Sequence, residues 1–392
     1  MKFRAWALIV MMLALPALSG CETITGWFEE EEYDPTAPVE LRDIQQQIKF
    51  SKRWSKSIGD GQGDGLYKIT PVLVGDLLYV ASADGDVFAL NAGTGKVQWK
   101  TNLDLPLSGG VGFHDGSLFV GAANGLVLRL DAANGSELWR ASVSGEVLSA
   151  PQGNGDLVVA QTYDGKLIAF DYETGERRWA HLSDVPVLTL RGTSTPIILG
   201  QLVIAGFADG KVLAIDQNSG NVAWEARIAI PQGRSEIERI VDIDGSMMLQ
   251  GAELYVASYQ GRVAAVDPRT GRKIWQRNVS SVSGVSVGFG NVYTADQDGT
   301  ISAFLRNGQG IRWQNIELGY RSLSRPTPVS SYLAVVDFEG YLHILSQVDG
   351  EILGRTRADG DGARADMIAS GNTLYVYGNG GKLAAYTIAP KD

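Results

Sequence analysis

The chain has 392 residues, 44% of them hydrophobic and 20% charged, with 48 glycines, 13 prolines and one cysteine. That apolar share excludes a disordered chain, and a single cysteine excludes an internal disulfide framework. The formal charge of −10 argues against nucleic acid as a partner, because neutralising phosphates requires clustered Lys and Arg.

The first element is a targeting segment. Lys2 and Arg4 are followed by the apolar run Ala5 to Leu18, too short to span a bilayer, which takes about 20 residues. The run ends in Leu18-Ser19-Gly20-Cys21, which resembles the bacterial lipobox. The resemblance implies cleavage after Gly20 and lipidation of Cys21, and hence a membrane attachment through acyl chains. The alternative is a plain secretory signal with a chance cysteine, but a lone thiol in an exported protein calls for another explanation. Loss of residues 1–20 removes two cations and no acids and takes the charge from −10 to −12. In the sorting rule that goes with the lipobox, Asp at the second mature position favours the inner membrane; Glu22 stands there, which points to the outer membrane. Residues 21–46, with Glu29-Glu30-Glu31-Glu32, Pro35 and Pro38, read as a polar tether.

From residue 47 to 392 the sequence is periodic. Asp84-Gly85 is followed by Asn91, Thr94-Gly95 and Trp99, and the pattern returns with Gly125 and Trp139, Gly165 and Trp179, Gly210 and Trp224, Gly261 and Trp275, and Gly299 and Trp313. A seventh copy at Gly340 has Gly354 where Trp is due, and an eighth opens at Gly380. The leading glycines are 40, 40, 45, 51, 38, 41 and 40 residues apart. A period near 40 with four short strands per unit predicts propeller blades, here eight in an all-β fold. In the first unit the strands run from Leu77 to Ala81, Val87 to Leu90 and Val97 to Lys100, after a less regular innermost strand at Thr70 to Leu73. Trp54 lies 45 residues before Trp99, so the N-terminal segment is expected to supply the outer strand that the eighth copy lacks and close the ring. Seven near-equivalent tryptophans (54, 99, 139, 179, 224, 275 and 313) cannot all face one ligand and read as wedges between blades.

Catalytic material is thin. His114, His181 and His343 fall in different units and read as surface or turn residues, so no metal site is expected. Asp296-Gln297-Asp298-Gly299 and Asp359-Gly360-Asp361-Gly362 look like pieces of Ca²⁺ loops but lack the closing Glu. The Asp-x-x-Thr-Gly-x-x-x-Trp repeat resembles the docking repeat of quinoprotein (PQQ-dependent) alcohol dehydrogenases over nearly all of residues 50–392. Those enzymes resemble one another further in an adjacent-Cys disulfide, a Ca²⁺-binding carboxylate cluster and an Asp base, which have no counterparts in this sequence. The likeness therefore implies fold without cofactor or enzyme activity.

Two neighbouring connectors are long. One, around Asp184-Val185-Pro186-Val187-Leu188-Thr189-Leu190-Arg191-Gly192, joins the third and fourth units; the other, around Ile230 to Arg239, joins the fourth and fifth. Insertions on one face of a repeat protein often carry its binding function. With the lipobox and the eight blades, Leu188-Thr189-Leu190-Arg191-Gly192 and Ser235-Glu236-Ile237-Glu238-Arg239 with Asp242-Ile243-Asp244 resemble the BamB family, the propeller lipoproteins of the outer-membrane β-barrel assembly machinery. The resemblance implies a periplasm-facing scaffold whose two connectors bind the periplasmic (POTRA) domains of BamA through Leu188, Leu190, Arg191, Asp242 and Asp244, and which assists barrel precursors, offering strand edges to them. An adaptor for a different periplasmic partner fits the same residues. Read without the resemblance, Leu188 and Leu190 equally suit one face of a core strand. Asp242 and Asp244, alternating with Val241 and Ile243, suit a strand end whose acids face water.

Overall fold

A computed structural model describes residues 34–391. The signal segment, Cys21, Glu22 and the Glu29–Glu32 run lie outside the described residues. The body consists of eight four-stranded antiparallel sheets, and in seven of them each strand pairs with its sequence neighbour. Seven blades are continuous in sequence: 72–102, 112–142, 152–182, 197–227, 248–279, 286–315 and 327–357. The eighth takes three strands from residues 368–390 and its outer strand, β1 (Ile48–Ser57), from the N-terminus. β1 runs antiparallel to the last strand, Lys382–Pro390, from Ile48 opposite Pro390 to Ser57 opposite Lys382. The ring is an eight-bladed β-propeller closed by both chain ends, and each sheet keeps two edges, one at its innermost strand and one at its outermost.

The middle strands of each blade are apolar on both faces because each sheet is covered by a neighbouring blade on either side; Leu77–Ala81 and Asp86–Asn91 are buried almost throughout. The outer strands alternate, as at Val97–Asn102. The innermost strands lie slightly later than the sequence suggests, at Val72–Val74 and Gln152–Gly153. Pro71 and Pro151 have no N–H to give to a ladder, so pairing starts after them.

One contact repeats at the rim. Each of the seven blade tryptophans lies with its indole on the glycine of the next blade's outer turn and donates its Nε1–H to a backbone carbonyl beside it: Trp54 to Ala92, Trp99 to Ala132, Trp139 to Tyr172, Trp179 to Gln217, Trp224 to Pro268, Trp275 to Arg306 and Trp313 to Gln347, at 2.7 to 3.2 Å. The turn must be glycine for two reasons. Gly175 has φ +71°, and a methyl group there would come within 2.7 Å of the Trp139 ring. A register shift precedes each of these residues, for example between Ala169 and Phe170 opposite Trp179, and between Lys52 and Trp54. Such a bulge re-aims a side chain, and here it turns the indole toward the neighbouring blade.

The eighth interface is built differently. Blade 7 has Gly354 in place of tryptophan, and Ile48, Phe50 and Gln46 fill the space above it. The Gln46 amide bridges both ways, its Nε2 donating to the Arg355 carbonyl (3.3 Å) and its Oε1 accepting from Arg355 N–H (3.1 Å). Gln47 N–H donates to Leu353 O at 2.8 Å, and Val39 N–H to Gly319 O at 3.0 Å. The compact body thus begins at Pro38, ahead of the strand, whereas the tether was expected to run to residue 46. Leu41 and Ile44 pack on the blade 6–7 core, apolar surface that a polar tether does not have. His343 also differs from expectation: it is fully buried, its Nε2 3.0 Å from Asp337 Oδ2, which also accepts from Arg321 Nε.

Trp139→Ala should destabilise the body by about 3–5 kcal/mol in urea unfolding. Leu138→Ala, one residue away and half-exposed, should change it by less than about 0.5 kcal/mol.

Candidate functional site

The connectors leaving each outer strand share a face with the hairpins between the two middle strands. In both long cases the first residue after the strand donates back to the hairpin glycine, Ser183 N–H to Gly165 O and Ile228 N–H to Gly210 O, each at 2.9 Å. Beyond that bond the long connectors depart from the short ones, running out over the face and returning before the next innermost strand.

The first connector holds its tip in water. Val187 is 85% exposed and Leu188 43%, with Val185 also exposed. The reading of Leu188 as core is therefore excluded. Leu190 turns inward and is half-buried. Its N–H donates to Asp242 Oδ2 at 2.5 Å, which ties the two connectors together. Two residues on, Gly192 passes so close to Asp244 that a Cβ would meet its side chain at 2.9 Å.

Arg191 is the most constrained of the expected contact residues. Its guanidinium grips Glu146 through both terminal nitrogens, at 2.8 and 3.0 Å, and Nε donates to the Gly65 carbonyl at 2.8 Å. Tyr67 and Tyr163 lie beneath it, 5.6 and 5.9 Å from the ring centroids, and Tyr163 OH is 3.0 Å from Thr189 Oγ1. A planar, bidentate, stacked arginine loses little further freedom on binding, and about a third of this side chain remains open to solvent.

Asp242 does not face water, and Asp244 is part-buried. Asp242 is 1% exposed, and its Oδ1 and Asp244 Oδ2 are buried without a hydrogen-bond partner. The strand alternation read from the sequence fails here: Ile240–Gly245 is irregular, and Val241 and Ile243 are buried along with Asp242 between them. Burial, reinforced by the charge of Asp244, pushes Asp242 up to about 8; burial pushes Asp244 up to about 7, opposed by Lys68. Neutral at least in part, the pair acts as an internal brace for the connectors. In the second connector, Glu238 accepts from the N–H groups of Arg234 (2.6 Å) and Ser235 (3.2 Å), capping a short 3₁₀ turn, Ile237–Arg239, with Ile230 and Ile237 exposed.

Of the five expected residues, the structure brings Leu190, Asp242 and Asp244 together as the base of a platform and leaves Leu188 and Arg191 at its surface. The sequence reading passed over Val185 and Val187, although Val185-Pro-Val-Leu188 is an apolar run inside a connector and could have signalled them. It could not find Tyr67, Glu146 or Gly65, which reach Arg191 from other parts of the ring. Among the described residues no group of three or more His, Cys, Asp or Glu is placed to hold a metal.

A family described as "Outer membrane protein assembly factor BamB" matches residues 49–105 and 83–315. The protein of that name from Pseudomonas aeruginosa is 50% identical over 351 residues, covering 90% of this chain and 92% of the relative. The chain belongs to the BamB family. The BamB relative from Marinobacter adhaerens is 41% identical over 381 residues, 96% of this chain and 95% of its own. The crystal structure of BamB from Moraxella catarrhalis superposes with a TM-score of 0.78 at 28% identity, over 86% of this chain and all of that one. The quinohemoprotein alcohol dehydrogenase of Comamonas testosteroni, with a TM-score of 0.68 at 15% identity over 86% of this chain and 76% of its own, shares the fold alone.

The buried acids set a pH dependence. Their folded pKa values lie above the unfolded value of about 4, so the folded state holds protons the unfolded chain has lost. Stability should therefore fall as pH rises from about 4 to about 8 and level off above. Asp242→Asn, which keeps an acceptor for Leu190 N–H, should flatten this slope; melting temperatures at pH 5 and pH 8 check it.

Proposed function

We propose that this chain is a non-catalytic scaffold of the outer-membrane β-barrel assembly machinery, lipid-anchored through Cys21 with its propeller in the periplasm. Its two long connectors dock the periplasmic (POTRA) domains of BamA. The observation that carries this reading is the pairing of an exposed apolar tip, Val187 and Leu188, with a base locked by Arg191–Glu146 and Leu190–Asp242. Apolar anchors on a preorganised support lose little entropy on binding, and an arginine beside them fixes orientation. Leu188, Val187 and Arg191 make the contact; Leu190, Asp242 and Asp244 position it from below. The names of the relatives, outer membrane protein assembly factors, support the same reading. Barrel precursors meet the complex beside this scaffold, and the free outer edges of the blades are where their strands would add.

The test is affinity capture from detergent-solubilised envelopes. Leu188→Ala combined with Arg191→Glu should weaken capture of BamA about thirtyfold, the equivalent of about 2 kcal/mol. Val187→Asp, at a side chain almost wholly in water, should weaken it without touching the Arg191 network. Capture of a different envelope protein by the wild type, with no barrel-assembly component, would instead identify an adaptor for another partner. Labelled palmitate should enter the wild type and not Cys21→Ala, which checks the anchor separately.

A further inference from the structure

The charge of the body is unevenly placed. β1 carries Lys49, Lys52, Arg53 and Lys56, all exposed, and no acid. The strand it pairs with begins at Lys382, contains no acid, and is followed by the exposed Lys391. Five cations and no carboxylate thus occupy one two-stranded ribbon of a chain whose formal charge is −10, and Lys391 and Asp392 follow it. Among the described residues none of the five is in an ion pair. The other seven outer strands carry at most two cations each, as with Arg177 and Arg178 or Lys273 and Arg277, and several of these face an acid, as Lys100 does Asp86 and Arg178 does Asp171.

A lysine or two on a free strand edge is a common guard against edge-to-edge pairing. Four on one strand exceed that need, since the other seven edges manage with fewer. A ten-residue strand is about 33 Å long, enough to lie along several lipid headgroups. The ribbon also follows closely on the tether: the seventeen residues from Cys21 to Ala37 reach at most about 60 Å, Pro38 onward is packed on the body, and β1 begins ten residues later.

We propose that the β1 ribbon is a membrane-facing surface that binds the phosphate headgroups of anionic lipid. Together with the acyl chains at Cys21 it forms a two-signal attachment that sets which side of the propeller faces the bilayer. One acyl anchor tethers a body without orienting it; a basic strip on the rim supplies the second constraint. The acidic total does not oppose this contact, because headgroups respond to local charge within about 10 Å and not to the total. The orienting role rests on the lipid-anchored reading given above; the headgroup contact does not.

The test separates the two. The full mature chain with Cys21→Ala, which has no acyl chains, is mixed with vesicles of phosphatidylcholine alone or with about a third phosphatidylglycerol and floated at low and high salt. Binding should require phosphatidylglycerol and be lost at high salt. Each Lys or Arg near such a surface contributes about fivefold, so Lys49→Gln, Lys52→Gln, Arg53→Gln and Lys56→Gln together should weaken binding at least tenfold. The triple variant Lys49→Arg, Lys52→Arg and Lys56→Arg should retain it. A control removing four exposed cations of blade 5, Arg269→Gln, Arg272→Gln, Lys273→Gln and Arg277→Gln, carries the same net charge and should bind like the parent. Equal binding to both vesicle types, or equal loss in both quadruple variants, overturns the proposal. So does binding that appears only when Glu29–Glu32 are changed to Gln, which would make the chain's own acidic run the occupant of the ribbon. Palmitate labelling of the wild type reports on the anchor whatever the vesicles show.

Discussion

The indole of one blade resting on the turn glycine of the next is the contact on which the rest of the molecule depends. Each tryptophan combines a large apolar face, buried against the neighbour, with one N–H that finds a backbone carbonyl of that neighbour. The ring buries area and the hydrogen bond fixes where it lands, so the contact is both adhesive and directional. Repeated at seven of eight interfaces, it holds the rim at a constant spacing whatever the connectors do. The remaining interface, above Gly354, is filled by Ile48, Phe50 and the Gln46 amide. The irregular joint is thus also the one that the two chain ends close.

A rim locked in this way leaves the connecting loops free to vary, and two of them have grown. The second connector buries Ile228, Val241 and Ile243 at its two ends, while the outer parts of both loops stand away from the core. Those outer parts are held by polar groups: Glu146 and Gly65 on Arg191 and Asp242 on Leu190 come from distant parts of the chain, and Glu238 braces its own turn. Burying Asp242 and Asp244 with unpaired oxygens is costly, and raised proton affinity is how the protein lowers that cost. The result is a platform stiff at its base and apolar at its tip, a shape suited to a protein partner.

Net charge describes this body poorly. Acids crowd the turns, where they accept from backbone N–H groups, as Asp171 and Asp216 do, while cations collect on the ribbon that closes the ring. The same ten residues that complete the fold carry the most basic edge. Structure and surface chemistry are therefore coupled at β1, and a change made for one purpose there bears on the other.

The periodic Gly and Trp spacings were enough to establish the blade number, the all-β class and the pairing of the N-terminal strand with the last blade, because each blade is a local unit whose turns and wedge lie within about forty residues. The two long connectors were equally plain as departures from that spacing. Which connector side chains meet solvent was not. Leu188 and Leu190 are two apart and chemically alike, yet one is exposed and the other half-buried, with its backbone N–H on Asp242. Val241-Asp-Ile-Asp244 has the alternation of a strand with wet acids, but it is irregular backbone running under a neighbouring loop. Irregular segments have no period to read, and their partners come from far away in sequence: 52 residues between Leu190 and Asp242, 126 between Arg191 and Gly65. Local repetition is written in the chain one blade at a time; burial in a loop is decided only when the ring brings distant blades together.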